Sequence, residues 1–349
     1  MTGEFLSPQD PRWRGFLSAV SHDFYHLPAY AEFAAKQEGG EAAAFYVREG
    51  QSCLLIPLVV RPLPAALQAP ASWLDAVSPY GYPSPLLHHA EREEDAEALM
   101  RCFVTSGCDA GIVSAFLRFH PLLPFPMEAL SRHGEAVHHG ETVYVDLTLS
   151  DEAFWSGMRL NHRRGVRRLS RDGFAARVDD WSDWESFIAI YSETMDRLEA
   201  QPYYRFGRAY FDELRAALGD RLHLCSVLSP SGDVAAAGLF TTVSGVVGYH
   251  LGGTAGRYLA QAPTKLMFNQ VRSWARNEGA RVFHLGGGLG GASDSLFHFK
   301  SGFSPLRSSF HTGRIVFDQD RYRWLCRRSR APACDGASGG YFPAYRKNG

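Results

Sequence analysis

The sequence predicts an α/β protein in which one unit of strands and helices occurs twice. Two strands joined by a tight turn, a loop, a helix and a further strand follow one another over residues 44–119 and again over residues 222–286. The halves hardly match residue by residue, so the repeat is one of organisation. A chain of 349 residues is also too long for one ordinary core. We therefore expect two domains, each a mixed β-sheet flanked by helices.

The expected boundaries place the first domain at residues 1–148, the second at 149–328 and a flexible tail at 329–349. The last strand and helix of the second domain can pack back on the first. The tail is predicted from the run APACDGASGG, which is poor in large apolar residues.

Charge and cysteine content exclude several classes of function. There are 36 basic and 37 acidic residues, so a polyanion could bind only at a local patch. The six cysteines form no C-x-x-C pair, which argues against zinc. The first residues lack the pattern of a signal peptide, and no apolar run approaches the roughly 20 residues that span a bilayer. We expect a cytoplasmic monomer without a metal, a cofactor or stable membrane insertion.

In the first half, local patterns predict alternating helices and strands around a proline-rich loop. Six prolines between Pro62 and Pro85 exclude a helix there. The predicted helices are Pro11–Val20, Pro28–Gln37 and Glu91–Ser106, and the predicted strands are Ala44–Arg48, Cys53–Arg61 and Gly111–Phe119.

The second half begins with helices and continues with strands. Ser150 is the expected N-cap of a helix over Asp151–Asp172, and Ser182 with Glu185 predicts a capping box for a helix over Asp183–Leu198. The other predicted helices are Arg208–Leu218 and Pro263–Asn277, and the strands are Leu222–Leu228, Val234–Thr242, Val246–Gly252 and Arg281–Gly286.

The stretch Arg281–Phe303 is the first candidate site. A short apolar strand ends in Gly286-Gly-Gly288, where the backbone can turn sharply and a ligand can approach it closely. The segment Ser295–Lys300 then alternates so that, if extended, Phe297 and Phe299 face one side and His298 and Lys300 the other. Lys300 is one of only four lysines among 36 basic residues, which suggests a requirement for a compact ammonium. The alternative is an ordinary surface lysine.

A second candidate is the segment Arg159–Arg171, which contains six arginines in 13 residues. A weak apolar stripe leaves the arginines on the remaining faces of the predicted helix. Such a patch could hold the phosphates of a nucleotide or of RNA. The alternative is a solvated helix face.

Aromatic and histidine-containing segments supply further candidates. The stretch Met195–Tyr210 offers Arg197 and Tyr204 for an anionic, hydrogen-bonding substrate, although core packing of its tyrosines is an equal alternative. The loop Ser78–Ser84, which contains Tyr80, is either a binding loop or a rigid turn. For His250 and His284 a structural role is the alternative to catalysis.

The order of elements resembles the acyltransferase fold of the GCN5-related N-acetyltransferases. Members that use coenzyme A hold its pyrophosphate at a glycine-containing turn before a helix, where free amides and the helix dipole favour an anion. Here the equivalent stretch is Arg257-Tyr-Leu-Ala-Gln-Ala262, in which alanine and leucine stand where glycines are expected.

Several motifs resemble the second domain of the Fem family of aminoacyl-tRNA-dependent peptidyl transferases. They are His250-Leu-Gly-Gly-Thr254, Ala262-Pro-Thr-Lys-Leu266, Trp274-Ala-Arg-Asn-Glu-Gly279, Phe283-His-Leu-Gly-Gly287 and Phe299-Lys-Ser-Gly-Phe303. The arginine-rich segment 161–171 resembles the opening of that domain. The resemblance covers roughly residues 20–325 and implies two tandem GCN5-related N-acetyltransferase (GNAT) domains. One position departs, since His284 stands where the family usually has an acid.

The resemblance implies transfer of an aminoacyl group from aminoacyl-tRNA to an amine, either of a peptidoglycan precursor or of a natural-product intermediate. Lys300 matches the family's functional lysine and is the expected catalytic residue. An acyl-CoA-dependent N-acyltransferase and an inactive binding module remain as alternatives. The expected substrate-binding residues are Arg197, Tyr204, Tyr249, His250, Tyr80, Phe299 and His284, and the expected tRNA-binding residues are Arg163, Arg164, Arg167 and Arg168.

Overall fold

The computed structural model describes residues 1–90, 92–329 and 340–347. Helices and strands alternate along both halves of the chain, so the predicted α/β class is confirmed. Glu91, the predicted first residue of one helix, lies outside the described residues, and that helix is described from Glu93.

The helices are α1 (Pro11–Ala19), α2 (Pro28–Glu38), α3 (Glu93–Asp109), α4 (Met127–Ser131), α5 (Asp151–Gly157), α6 (Leu160–Arg171), α7 (Trp184–Arg197), α8 (Arg208–Leu218), α9 (Thr264–Asn277), α10 (Ser295–Lys300) and α11 (Gln319–Ser329). The strands are β1 (Glu4–Leu6), β2 (Glu41–Glu49), β3 (Ser52–Pro62), β4 (Leu74–Val77), β5 (Leu86–His88), β6 (Ile112–Arg118), β7 (Glu135–Asp146), β8 (Ala175–Val178), β9 (Leu222–Leu228), β10 (Val234–Val243), β11 (Val246–Thr254), β12 (Val282–Gly286) and β13 (Arg307–Val316).

The chain divides into two compact units whose boundaries differ from the predicted ones. Unit 1 comprises Met1–His139 together with the chain from Ser309 onward, and unit 2 comprises Gly140–Ser308. The first boundary falls within β7 and not at 148/149: from Gly140 onward β7 belongs to unit 2, where it pairs with β12. Most of β13 and all of α11, the last strand and helix, belong to unit 1, and β13 pairs with β6 there.

In unit 1 the strands lie in the order β1-β2-β3-β4-β6-β13, and β5 pairs with β3. The neighbouring pairs are antiparallel except for β4 and β6. These two strands are parallel, and the connection between them includes α3. Phe45 of β2 and Phe103 of α3 lie fully buried with ring centroids 4.9 Å apart, so α3 covers the sheet with an apolar face.

In unit 2 the order is β7-β12-β11-β10-β9-β8. Here β11 and β12 are the parallel pair, and α9 connects them. The aromatic rings of Phe240, Phe268 and Phe283 pack together between α9 and the sheet. Each unit therefore contains antiparallel strands, a crossing helix and a parallel strand, which confirms the predicted repeat of organisation.

The predicted helix over Asp151–Asp172 is wrong, because the chain leaves the helical conformation at Met158 and Arg159. The amide of Arg159 donates to the carbonyl of Gly302 at 2.9 Å instead of continuing the helix. The result is two helices, α5 and α6, of which α5 has the predicted N-cap Ser150, whose hydroxyl accepts from the amide of Ala153.

The predicted capping box of α7 is also wrong. The hydroxyl of Ser182 donates to Asp180, and Asp180 accepts the amide of Ser182 as well. These bonds favour a short 3₁₀ turn over Trp181–Asp183, after which α7 begins at Trp184.

Part of the predicted flexible tail is packed in unit 1. Tyr345 is buried, and its hydroxyl donates to Asp75 at 3.1 Å and lies 2.8 Å from Ser114. Asp75, which is itself fully buried, also accepts from Arg61 and Arg346. Residues 330–339 and 348–349 of the predicted tail lie outside the described residues.

We expect Asp75→Ala to destabilise unit 1 by about 3–5 kcal/mol, because it leaves two arginines without the buried carboxylate that compensates for their desolvation. Urea unfolding monitored by tryptophan fluorescence gives the change. Asp109→Ala, which also removes one carboxylate from unit 1 but at the exposed end of α3, is the matched control. Equal midpoints for the two variants would show that the Asp75 cluster adds nothing to stability.

Candidate functional site

Strand β12 leads directly into the glycine-rich loop that the sequence marks. Gly286, the last residue of β12, has a φ of +75°, a conformation that side chains disfavour. A short 3₁₀ turn over Leu289–Gly291 follows. The loop thus reverses the chain immediately after a buried strand, as expected.

The segment after the loop is a helix, so the predicted extended alternation of Ser295–Lys300 is wrong. Asp294 is the N-cap, since its carboxylate accepts from the amide of Phe297 at 2.8 Å. In the helix Lys300 is buried while His298 is exposed, so these two side chains do not share a face.

Lys300 is 6% exposed, which excludes the alternative of a surface lysine. Its Nζ donates to the carbonyl of Gly287 at 2.7 Å and lies 5.6 Å from the ring centroid of Tyr249. The ammonium is therefore surrounded by a loop carbonyl and an aromatic ring.

Burial lowers the pKa of Lys300 from its ordinary value to about 7, and the negative charge of Asp294 acts in the opposite direction. Desolvation disfavours the charged form of an amine, which explains the sign. Lys300 can therefore exchange a proton near neutral pH, a property that suits a group in acid–base or oxyanion chemistry.

Tyr249 lies on the α9 face of β11, with its ring centroid 4.9 Å from that of Phe268. The register with β10 changes just after it, because Tyr249 pairs with Phe240 whereas Leu251 pairs with Leu239. This irregularity is a β-bulge at His250. Burial raises the pKa of the Tyr249 phenol above its ordinary value, so the phenol is neutral at pH 7.

Phe299, the residue before Lys300, packs against His162 of α6. The ring of Phe299 lies 6.0 Å from Phe268 and 5.3 Å from His162, and Nε2 of His162 lies 2.9 Å from the carbonyl of Phe299. Burial lowers the pKa of His162 to about 4, so it is neutral at pH 7. Sequence reasoning missed His162, although it lies in the segment 161–171 that marked the basic helix.

Arg197 and Tyr204 lie on the other side of the unit 2 sheet. Arg197 is exposed and donates to the hydroxyl of Thr194, and the carbonyl of Tyr204 accepts from Tyr191 at 2.6 Å. Thr194 lies against Gly253 of β11, where an added Cβ would collide with its hydroxyl. Gly253 thus faces α7, whereas Tyr249 faces α9. Arg197 and Tyr204 both contact α7 residues and therefore lie on the opposite face from Lys300.

The next two candidates, His284 and Tyr80, belong to different units. His284 is buried in β12, where it pairs with Gly248 and Tyr144, and it points away from the face of its neighbour Phe283. Tyr80 belongs to unit 1, and its ring centroid lies 5.8 Å from the guanidinium of Arg118.

Helix α6 presents most of the predicted RNA-binding arginines to solvent. Arg164, Arg167 and Arg168 are exposed, whereas Arg163 is half-buried. The guanidinium of Arg167 lies over the ring of Trp155 at 5.7 Å, which fixes its position. The exposed cations therefore form a local patch on a chain with a net charge of −1.

The segment before α9 forms a 3₁₀ helix over Gly256–Gln261 in place of a glycine turn. The amides of Tyr258, Ala262 and Lys265 donate to carbonyls of the same segment, at 2.8, 3.1 and 3.1 Å. Amides used in this way cannot bind a pyrophosphate without first breaking those bonds.

Among residues 1–90, 92–329 and 340–347, no group of three or more His, Cys, Asp or Glu side chains is arranged to hold a metal ion. Within the same ranges, no helix is both long and apolar enough to cross a membrane.

Residues 156–301, which include α6, the loop and Lys300, match the family model described as an acetyltransferase (GNAT) domain. No curated protein matches the sequence significantly.

Solved structures with a similar fold cover nearly the whole chain. The crystal structure of FemX aligns over 93% of this chain and 99% of its own, with a TM-score of 0.70 and 13% identity. L-PGS from Bacillus licheniformis aligns over 93% of this chain and 97% of its own, with a TM-score of 0.55 and 14% identity.

The C-terminal domain of a putative lysylphosphatidylglycerol synthetase from Agrobacterium fabrum aligns over 84% of this chain and 88% of its own, with a TM-score of 0.53 and 16% identity. At such identities the likeness concerns the fold. The repeated unit, the matched domain and these alignments together confirm that the chain has a Fem-like tandem GNAT fold.

Proposed function

We propose that this chain is an aminoacyltransferase that forms an amide by moving an aminoacyl group from aminoacyl-tRNA to an amine. The observation that carries the proposal is Lys300, a buried amine held by a loop carbonyl and an aromatic ring. The fold likeness to FemX and the local cationic patch on α6 support a tRNA donor. The acceptor is an amine of a peptidoglycan precursor or of a natural-product intermediate.

The reaction requires no metal or cofactor, because the ester of aminoacyl-tRNA is already activated. The acceptor nitrogen attacks the ester carbonyl, the carbon–oxygen bond breaks, and the ribose oxygen leaves with a proton while the nitrogen loses one. Protonated Lys300 stabilises the oxyanion or the departing ribose oxygen. A donor of this kind contributes about 3–4 kcal/mol to transition-state stabilisation.

The remaining candidates receive binding roles in this proposal. Arg197 of α7 and Tyr204, whose carbonyl accepts from Tyr191 of the same helix, bind polar groups of a substrate. Tyr249 and Phe299 form the aromatic wall beside Lys300. The other proposed substrate-binding residues are His250, His284 and Tyr80, and the proposed tRNA-binding residues are Arg163, Arg164, Arg167 and Arg168.

The first test of this function is the Lys300→Ala variant. We expect its turnover to fall by about two to three orders of magnitude with substrate affinity nearly unchanged, because the lost interaction forms only in the transition state. Lys300→Arg should restore little, since a planar guanidinium does not fit the place of a compact ammonium. Single-turnover transfer from charged tRNA at saturating enzyme measures the rate.

Lys347→Ala, at an exposed lysine of unit 1, is the matched control, and melting temperatures verify folding. A folded Lys300→Ala variant with the wild-type rate would remove Lys300 from the reaction.

The basic patch is tested by a matched pair of double variants. Arg164→Ala with Arg168→Ala removes two exposed charges four residues apart on α6, and Arg323→Ala with Arg327→Ala does the same on α11. We expect only the α6 variant to raise the Michaelis constant for charged tRNA and to reduce the slope of log K against log salt by about 1–2. Equal slopes for both variants would show that the α6 arginines form an ordinary solvated helix face and do not bind tRNA.

An acyl-CoA-dependent N-acyltransferase is the second candidate, because the matched family model is that of an acetyltransferase domain. The hydrogen bonding of the segment before α9 argues against it, since the amides of Tyr258, Ala262 and Lys265 are already paired.

Calorimetry with acetyl-CoA separates the two candidates. We expect no binding at micromolar concentrations, because the amides of Tyr258, Ala262 and Lys265 are already hydrogen-bonded within this segment. Saturable binding that is lost in a variant of the 257–262 segment would favour the acyl-CoA donor over aminoacyl-tRNA.

A further inference from the structure

Asp294 connects the glycine loop to the helix that carries Lys300. One carboxylate oxygen accepts from the amide of Leu289 in the loop, and the other accepts from the amide of Phe297 in α10, both at 2.8 Å. Gly288 lies directly against this carboxylate, since an added Cβ there would collide with Oδ1 of Asp294. The loop and α10 are therefore both hydrogen-bonded to the side chain of Asp294.

The donor and the acceptor of the Lys300 hydrogen bond lie on the two segments that Asp294 binds. The acceptor, the carbonyl of Gly287, precedes Leu289 by two residues, and Lys300 follows Phe297 by three. Because Asp294 fixes both backbone segments, it also fixes the 2.7 Å separation between Nζ and the carbonyl.

Asp294 is also the negative charge that acts on Lys300. Tyr249 of β11 faces Lys300, and His162 of α6 contacts the adjacent Phe299. Both are neutral at pH 7, because burial raises the pKa of the phenol and lowers that of the imidazole. On α10 itself His298 is exposed and bonds to Arg159. Burial opposes the charged form of Lys300, and Asp294 favours it.

We propose that Asp294 is a positioning residue for Lys300, which holds Nζ against the glycine loop and whose negative charge maintains the ammonium form used in catalysis. The proposal deepens the proposed function and rests on the role of Lys300 in it. In this proposal Asp294 acts through Lys300 and the loop. Its effect should therefore appear in the titration of Lys300 and in the pH dependence of the rate.

The four lysines of the chain make a direct measurement practical. Protein labelled with ¹³C at lysine Cε gives four resonances, and the Lys300→Arg variant assigns that of Lys300. In Asp294→Asn the carbonyl oxygen can still cap α10, while the charge and the acceptor for the Leu289 amide are lost. We expect the pKa of Lys300 to fall by about one unit, because the opposing carboxylate is removed, while that of Lys265 stays unchanged.

The pH profile gives the second reading. Since the protonated amine is the active form, wild-type kcat/KM should fall as the pH rises through about 7. In Asp294→Asn this decrease in kcat/KM should shift to lower pH by about one unit, as the pKa of Lys300 does. The kcat/KM of the variant should therefore be about tenfold below wild type well above pH 7 and should approach the wild-type value at acid pH. Asp294→Ser, which also caps without charge, replaces the asparagine variant if the latter is unfolded by circular dichroism.

An unchanged Lys300 pKa in a folded variant, or a rate lowered equally at every pH, would overturn the positioning role. Failure of the proposed function is recognised separately: a Lys300→Ala variant with the wild-type rate contradicts it whatever the titration shows. A rate that rises through pH 7 in the wild type would also overturn the proposal, since neutral Lys300 would then be the active form.

Discussion

The burial of one ammonium group among aromatic rings determines how the site in unit 2 is built. Removing an amine from water costs free energy unless other groups replace its hydration. For Lys300 the replacements are the carbonyl of Gly287 and the face of Tyr249. Neither group bears a full charge, so the amine remains close to the balance between its two protonation states. The surrounding backbone must be held firmly, because a small displacement would remove either interaction.

The bulge in β11 decides which residues meet Lys300. In a regular strand Tyr249, Leu251 and Gly253 would share one face. The register shift at His250 changes the alternation, so Tyr249 faces α9 while Gly253 faces α7. A bulge is set by pairing with the neighbouring strand, which a single sequence does not reveal. For this reason the sequence could name Tyr249 and Arg197 but could not tell that they lie on opposite faces.

Much of the fold was predictable where the local pattern and the tertiary structure agree. The strands β9 to β12 and the helix α9 have long apolar patterns and clear turns, and the predicted bounds are close to those observed. The strands β7 and β13 were not placed from their patterns because they are rich in polar residues. The break between α5 and α6 depends on the carbonyl of Gly302, which is over 140 residues away in sequence. Asp294 carried a local signal as an N-cap before α10, yet the alternating aromatic residues after it favoured the wrong conformation.

The use of β13 by unit 1 has a consequence for synthesis of the chain on the ribosome. The strand beside β6 and the helix α11 come from residues made after all of unit 2, so unit 1 cannot complete its sheet when its first 139 residues emerge. Unit 2 is continuous and can fold once Ser308 has left the exit tunnel. The edge of β6 therefore stays unpaired during the intervening synthesis, and an exposed strand edge of this kind favours binding to other chains. A truncation before β13 would leave unit 1 permanently in that incomplete state, because β6 would then never gain this partner strand.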